Sequence, residues 1–185
     1  MTLGDKLRKV AALSPKREWK RRPEILLFSG VVQPLHEVCP REILGRKWWD
    51  QTRKESYKST NYHCVACGVH KSVAAYHKWL EGHERYEVDY VRGIQTYLDT
   101  QPLCHFCHSY CHLGRLKALL DRGEIYHAKF VDIVQHGDRV LAEAGLTKIV
   151  YNGAMAPWSK WRLILFGKKH RPKYRSLKAW EKAHR

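Results

Sequence analysis

Residues 103–112 read Leu-Cys-His-Phe-Cys-His-Ser-Tyr-Cys-His, and an earlier Cys-x-x-Cys pair is formed by Cys64 and Cys67. Each pair forms a tight turn that places both sulfurs on one ion, so two pairs supply the four thiolates of a tetrahedral structural zinc. The 36 residues between the pairs exceed the usual zinc-ribbon spacing and indicate an inserted hairpin. We therefore predict a zinc ion bound by Cys64, Cys67, Cys104 and Cys107.

A second metal site is expected beside the first. His108 and His112 stand four residues apart, which puts two imidazoles on one face of a helix that starts at the second Cys pair. The stretch Trp79–Tyr86 reads as a short strand that carries another histidine, His83, and a carboxylate. Together these features predict one structural zinc and one catalytic metal.

The remaining cysteines and histidines are predicted to be structural. His105 lies inside the second Cys pair and is expected to face solvent, and Cys39 and Cys111 are expected to be small buried residues. Three further histidines have no motif around them and are expected to be structural or at the surface: His63, His70 and His77.

Three segments resemble motifs of the HNH endonuclease family. Leu80–Glu84, which reads Leu-Glu-Gly-His-Glu, resembles its first motif, in the variant with His-Glu where other members have His-His or Asp-His. Leu103–His112 resembles its closing motif, and Trp49–Tyr57 resembles the helix that precedes the first Cys pair in bacterial and phage members. The resemblance covers roughly residues 40 to 145 and implies a ββα-metal core, a β-hairpin followed by a metal-binding helix.

The same resemblance implies phosphodiester hydrolysis with a divalent cation, Mg²⁺ or Mn²⁺, held by His83, His108 and His112. Aligned with the first motif, His83 falls at a metal-ligand position and Glu84 at the position of the general base. A free Glu titrates at about 4.3 and an imidazole at about 6.5, so the opposite assignment, with His83 as the base and Glu84 on the metal, is chemically easier and stays open. Asp99 stands nine residues before His108, where the family has Asn, and could orient the base or join the metal shell.

Length and composition set the broad class. At 185 residues the chain suits one domain with extensions. The six cysteines could form disulfides, but no signal peptide is evident and the Cys-x-x-Cys pairing favours metal in a reducing compartment. No segment reaches the roughly 18 apolar residues of a membrane span. We expect a cytoplasmic protein of a bacterial or phage-infected host cell, with no membrane partner.

The net charge of +16 lies at the two ends of the chain. Residues 1–63 carry 14 Lys and Arg against 7 Asp and Glu, residues 64–150 carry 10 against 10, and residues 151–185 carry 10 against 1. Basic flanks neutralise phosphates and release counterions, so the partner expected is DNA. The residues predicted to bind it are Arg17, Lys20, Arg21, Arg22, Lys168, Lys169, Arg171, Lys173, Arg175 and Lys178.

Three parts are predicted along the chain: a basic N-terminal arm over residues 1–39, a nuclease core over 40–150 and a basic DNA-binding extension over 151–185. The arm is expected to become ordered on nucleic acid. The extension is expected to fold as a strand over Trp161–Phe166, a turn at Gly167 and Lys168, and a helix capped by Ser176. Its tryptophans could instead pack on the core and leave its charges in water.

Within the core we predict a helix from Pro40 to about Ser59 and a hairpin between Val73 and Asp99 that breaks at Gly93. One helix should run from the second Cys pair to Gly123, and another from about residue 125 to near residue 145. The predicted fold class is α+β.

The first functional hypothesis is a metal-dependent HNH DNA endonuclease of phage, mobile-element or restriction type. Its rival is a zinc-stabilised nucleic-acid-binding protein that has lost cleavage. A basic zinc protein of a ribonucleoprotein would explain charge and cysteines but would leave His83, Glu84, His108 and His112 without a role.

Overall fold

The structure, a computed structural model, describes residues 18–28, 31–148 and 151–184. Over these residues the protein is a mixed α+β structure, as predicted. The five α-helices are α1 (Pro40–Ser59), α2 (His105–Cys111), α3 (Leu113–Asp121), α4 (His127–Glu143) and α5 (Leu177–Ala183). One four-stranded sheet contains β1 (Glu81–Asp89), β2 (Ile94–Leu103), β3 (Arg162–Leu165) and β4 (Lys168–His170), in that order.

Helix α1 has the predicted bounds. Pro40 occupies its first turn, where a missing N–H costs nothing, and Cys39 takes the N-cap position in an extended conformation. Gly45 has φ 82° and kinks the helix after its first turn and a half. Beyond the kink, the indole of Trp49 approaches β1 so closely that a Cβ on Gly82 would lie 3.1 Å from Trp49 Cζ2.

The hairpin forms with its turn at Gly93, as predicted, but its first strand begins later than expected. Lys71–Val73 is a short 3-10 helix, the chain runs irregularly to Leu80, and β1 starts at Glu81. β1 and β2 pair antiparallel, from Glu81 opposite Leu103 to Asp89 opposite Ile94. A register shift between Arg85 and Tyr86 marks an irregularity of the β-bulge kind two residues beyond His83.

Two helices replace the single one predicted after the second Cys pair. α2 ends at Cys111, and His112 has φ −111° and ψ 43°, which breaks the helix before α3 begins. The α3 helix ends at Asp121, and Gly123 just beyond it has φ +71° and donates its N–H to Leu120 O. α4 packs directly against the Tyr110 ring of α2, because Gly137 has no side chain to keep the two apart.

The C-terminal segment joins the sheet of the core. β3 pairs in parallel with the start of β2, at Ile94–Thr96, and Trp161 beside it is fully buried. Phe166 and Gly167 both have positive φ and form the two-residue turn to β4, so Lys168 lies in a strand rather than in the predicted turn. Ser176 caps α5 as predicted, accepting a hydrogen bond from Ala179 N.

The hairpin lies between two hydrophobic clusters. The first cluster surrounds the four cysteines of the Cys-x-x-Cys pairs and includes Ile25, Leu26, Leu103, Tyr110 and Ile133. The second contains Leu35, Tyr86, Tyr97, Trp161 and Leu163. Among the described residues no helix combines the length and apolar character that crossing a membrane requires.

Candidate metal centres and their cleft

The four cysteines of the two Cys-x-x-Cys pairs converge on one point. Their sulfurs, from Cys64, Cys67, Cys104 and Cys107, all lie within 4.8 Å of one another. Cys67 Sγ and Cys104 Sγ are 3.7 Å apart, and sulfurs bound at about 2.3 Å around a tetrahedral zinc lie roughly 3.8 Å apart. All six cysteines are free of disulfides. The arrangement is compatible with the predicted structural zinc site.

Local backbone geometry presents these sulfurs. Gly68 has φ +81° and donates its N–H to Cys64 O at 2.9 Å, which closes the turn formed by residues 64–68, the first knuckle. Cys104 is the N-cap of α2, and His108 N donates to its carbonyl at 2.9 Å. His136 of α4 places Nε2 3.3 Å from Cys107 Sγ, a neighbour that no sequence motif indicated. Such a nitrogen can donate to a thiolate and stabilise its charge.

A second cluster consists of three imidazoles. One ring nitrogen each of His83 on β1, His108 on α2 and His112 at the α2–α3 junction lies within 4.8 Å of the other two. The ring centroids are 4.8 to 5.5 Å apart and the rings meet edge to face. His83 Nδ1 is buried and has no hydrogen-bond partner among the described residues. A buried nitrogen without a partner is costly unless a ligand satisfies it, so the cluster fits a metal ion.

Glu81 fixes the orientation of His108. Its Oε2 lies 2.8 Å from His108 Nδ1 and its Oε1 lies 2.9 Å from His105 Nδ1. A carboxylate on one imidazole nitrogen sets the tautomer and leaves the other nitrogen free to bind a metal. Burial alone would raise the pKa of Glu81, but the hydrogen bonds with His105 and His108 outweigh it and lower that pKa far below its usual range. Glu81 therefore carries a charge at neutral pH.

Two imidazoles of this cluster, His83 and His112, have pKa values lowered by their surroundings. Burial lowers the pKa of His83 well below its ordinary value, and the nearby His112 and His108 lower it further. Burial also lowers the pKa of His112 to about 4, with His108 adding to the effect. Neutral imidazole is the form that binds metal.

Glu84, the next residue on β1, lines a cleft of about 1120 Å³ together with His108 and His112. Burial raises the pKa of Glu84 above its ordinary value. The walls carry cations and aromatic rings: Arg41, Arg53, Arg115, Trp49, Trp79 and Trp180. The cleft therefore offers a carboxylate and imidazoles at a surface suited to an anionic ligand with apolar parts.

Asp99 is not brought to the imidazole cluster. It faces Arg85 across the hairpin, with Oδ2 2.6 Å from Arg85 Nη2 and Oδ1 3.1 Å from Arg85 Nε. Burial would raise the pKa of Asp99, but the hydrogen bonds from Arg85 and Gln101 reverse the shift. The structure gives Asp99 a place in an ion pair of the hairpin.

His105 does not face solvent, contrary to the sequence prediction. Its side chain is 17% exposed, its Nδ1 contacts Glu81, and its ring stacks on Tyr76 with centroids 4.7 Å apart. His77, which lies in no sequence motif, contacts His105: the two ring centroids are 4.6 Å apart. Both contacts depend on the loop before β1 folding back on α2, which local sequence does not specify.

The predicted DNA-binding cations divide into two groups. At the N-terminal end, Lys20 is exposed, Arg21 donates to Ala66 O in the first knuckle, and Arg22 pairs with Glu24; Arg17 lies outside the described residues. In the C-terminal segment the cations are all exposed: Lys168, Lys169, Arg171, Lys173, Arg175 and Lys178.

The C-terminal helix forms part of the cleft wall and is anchored by Glu37. The Glu37 carboxylate pairs with Lys173, accepts from Tyr174 Oη at 3.2 Å and contacts His184 Nε2 at 2.8 Å. Trp180 packs against His36 with ring centroids 5.4 Å apart. Trp161 is fully buried and Trp180 packs against His36, while the predicted DNA-binding cations of the segment other than Lys173 remain in water, much as the alternative interpretation of the extension expected.

Comparison with family models, curated proteins and solved structures gave no significant match to this chain.

Proposed function

We propose that this protein is a zinc-stabilised, metal-dependent DNA endonuclease of the HNH type. The observation that carries the proposal is the convergence of His83, His108 and His112 on one point, with Glu84 lining the same cleft as His108 and His112. An antiparallel hairpin followed directly by α2, with imidazoles from both, supports a ββα-metal core. A zinc ion bound by both Cys-x-x-Cys pairs would tie the first knuckle to the start of α2 and so hold α2 in place in that core.

The three imidazoles would hold a divalent cation; the sequence predicted Mg²⁺ or Mn²⁺, but an all-imidazole ligand set suits a transition metal such as Ni²⁺ or Zn²⁺ better. When bound, such an ion supplies Lewis-acid chemistry to a phosphodiester. His83 suits a ligand because it lies within the imidazole cluster with a buried, unpartnered nitrogen. Glu81 holds the His108 ring through Nδ1, which would leave Nε2 free to bind the ion.

Glu84 would accept a proton from the attacking water. It lies outside the imidazole cluster but lines the same cleft as His108 and His112. A water molecule between Glu84 and a bound phosphate could therefore give its proton to the Glu84 carboxylate. Of the two assignments that the sequence left open, this geometry favours Glu84 as the base and His83 as the ligand.

DNA is the substrate that the charge distribution favours. Cations line the cleft, and further exposed cations lie on β4 and on the segment that leads to α5. The aromatic rings on the cleft wall, Trp49 and Trp79, could contact sugars or unstacked bases beside the scissile phosphate.

The test is cleavage of supercoiled plasmid by purified protein with and without Mg²⁺ or Mn²⁺. We expect His83→Ala and His108→Ala to abolish cleavage while helicity, zinc content and DNA binding stay largely intact. Glu84→Gln keeps the shape of the side chain but removes its basicity, and should reduce the rate by about 10² to 10⁴-fold. His127→Ala, at the exposed start of α4, serves as the matched control.

Two results would change the proposal. Near wild-type activity of Glu84→Gln would make His83 the base and Glu84 a bystander. A wild-type protein that binds DNA but leaves plasmid uncut in Mg²⁺, Mn²⁺, Ni²⁺ and Zn²⁺, across varied target sequences, would be a nucleic-acid-binding protein.

A further inference from the structure

A third group of ligand-bearing side chains lies next to the imidazole cluster. His77 in the loop before β1, Glu81 at the start of β1 and His105 at the start of α2 each place a nitrogen or oxygen within 4.8 Å of the other two. The proposed function uses Glu81 only through its contact with His108 and does not use His77 or His105.

Both imidazoles of this group are held by stacking on aromatic rings. His77 stacks on Trp79 with ring centroids 4.0 Å apart and planes 14° apart, and His105 stacks on Tyr76 at 4.7 Å and 17°. A ring covered on one face is fixed in orientation, and its nitrogens can act only at the edge. The two rings meet at 72°, edge to face, with Glu81 beside them. The ligand atoms are thus oriented before any metal binds.

An unsatisfied nitrogen indicates that the group lacks a partner. His105 Nε2 is buried and makes no hydrogen bond among the described residues, while His105 Nδ1 lies 2.9 Å from Glu81 Oε1. A buried polar atom of this kind requires an explanation, and a bound ion is one of the few available. The carboxylate of Glu81 supplies the negative charge that a cation needs.

We propose that His77, Glu81 and His105 form a second, exchangeable site for a divalent transition metal, best suited to Zn²⁺. Two imidazoles and one carboxylate are the ligand set of zinc sites that keep one position open, and imidazole favours zinc, cobalt and nickel over magnesium. With three ligands in place of four thiolates, this site should bind its metal less tightly than the four-cysteine site.

The His77–Glu81–His105 site, called the second exchangeable site here, is separate from the His83–His108–His112 cluster but is connected to it. The two groups share no ligand, yet Glu81 Oε2 contacts His108 Nδ1 at 2.8 Å while Oε1 faces His105. Metal bound at Glu81 withdraws charge from the carboxylate that orients His108. Occupancy of one site therefore changes the metal affinity of the other, and by linkage the effect is reciprocal.

The test counts exchangeable metal on the full-length protein. A mild chelator removes weakly bound ions, elemental analysis verifies that the cysteine-bound zinc remains, and Co²⁺ alone is then titrated by equilibrium dialysis. We expect two exchangeable equivalents in the wild type. His77→Phe, which keeps a ring on Trp79 but has no nitrogen, should lose one equivalent, His112→Ala should lose the other, and the exposed control His127→Ala should lose neither.

The proposal fails if the wild type binds at most one exchangeable equivalent up to millimolar Co²⁺, or if His77→Phe keeps both. These outcomes are distinguishable from failure of the nuclease proposal. One equivalent lost in His112→Ala but retained in His77→Phe would remove the second site and leave the nuclease site standing. Two equivalents on a protein that never cuts DNA would leave the second site standing without the nuclease.

Discussion

Loss of one cysteine from the four-cysteine site should unfold the protein. Cys104 is 3% exposed, and Cys64 and Cys107 are fully buried within the first hydrophobic cluster. Structural zinc contributes about 10 to 16 kcal/mol to folding at neutral pH, whereas the net stability of a domain is only about 5 to 15 kcal/mol. If Cys104→Ser prevents zinc binding, the lost contribution is as large as the whole margin. We therefore expect the variant to be unfolded or aggregated at room temperature.

The assay combines elemental analysis with thermal unfolding followed by circular dichroism, with and without a strong chelator. Cys39→Ser is the matched control, because Cys39 is the N-cap of α1 and lies outside the site. Ser is a preferred N-cap residue and should stabilise that variant by up to about 1 kcal/mol. The reasoning is refuted if Cys104→Ser keeps a full equivalent of zinc, or loses the zinc and still melts with the wild type.

Two further predictions concern packing and charge. Gly137→Ala should lower the free energy of unfolding by about 1 to 3 kcal/mol, because the new Cβ would lie 2.1 Å from Tyr110 Cδ2. Gly114→Ala is the control: its new Cβ would meet no neighbouring heavy atom within 4 Å, so it should be neutral or stabilising by at most about 1 kcal/mol. Equal denaturation midpoints for the two variants would contradict this. Lys168→Glu with Lys169→Glu, both exposed on β4, should weaken DNA binding and flatten the dependence of log affinity on log salt without loss of zinc. An unchanged slope would show that neither lysine contacts phosphate.

Local patterns predicted much of the fold and of the candidate site. The bounds of α1 follow from Pro40 and from the composition up to Ser59, and the turn at Gly93 follows from a residue that needs positive φ. The four cysteines and the pair His108 and His112 could be grouped from spacing alone, because a knuckle and a helical turn fix the distances between their side chains. These are short-range relations, which the chain encodes within a few residues.

Contacts between distant segments could not be predicted in this way. The sequence predicted that residues 151–185 form a basic DNA-binding extension separate from the nuclease core. In the structure, Trp161 and Leu163 are fully buried against β2 and the second hydrophobic cluster, and deletion would expose that cluster. Parallel pairing of β3 with β2 has no local signal, because the partners are far apart along the chain. For the same reason the contact of His105 with Glu81 was missed.

The anchoring of α5 has a consequence for how the chain folds. Glu37 contacts His184, which lies 147 residues later, so one wall of the cleft is assembled from opposite ends of the described chain. Contacts of such large sequence separation form late, because closing a long loop costs entropy before the contact rewards it. During synthesis from the N-terminus, the knuckles and hairpin can emerge and collapse while α5 is still within the ribosome. We expect the cleft to remain incomplete until residues 177–184 have left the ribosome.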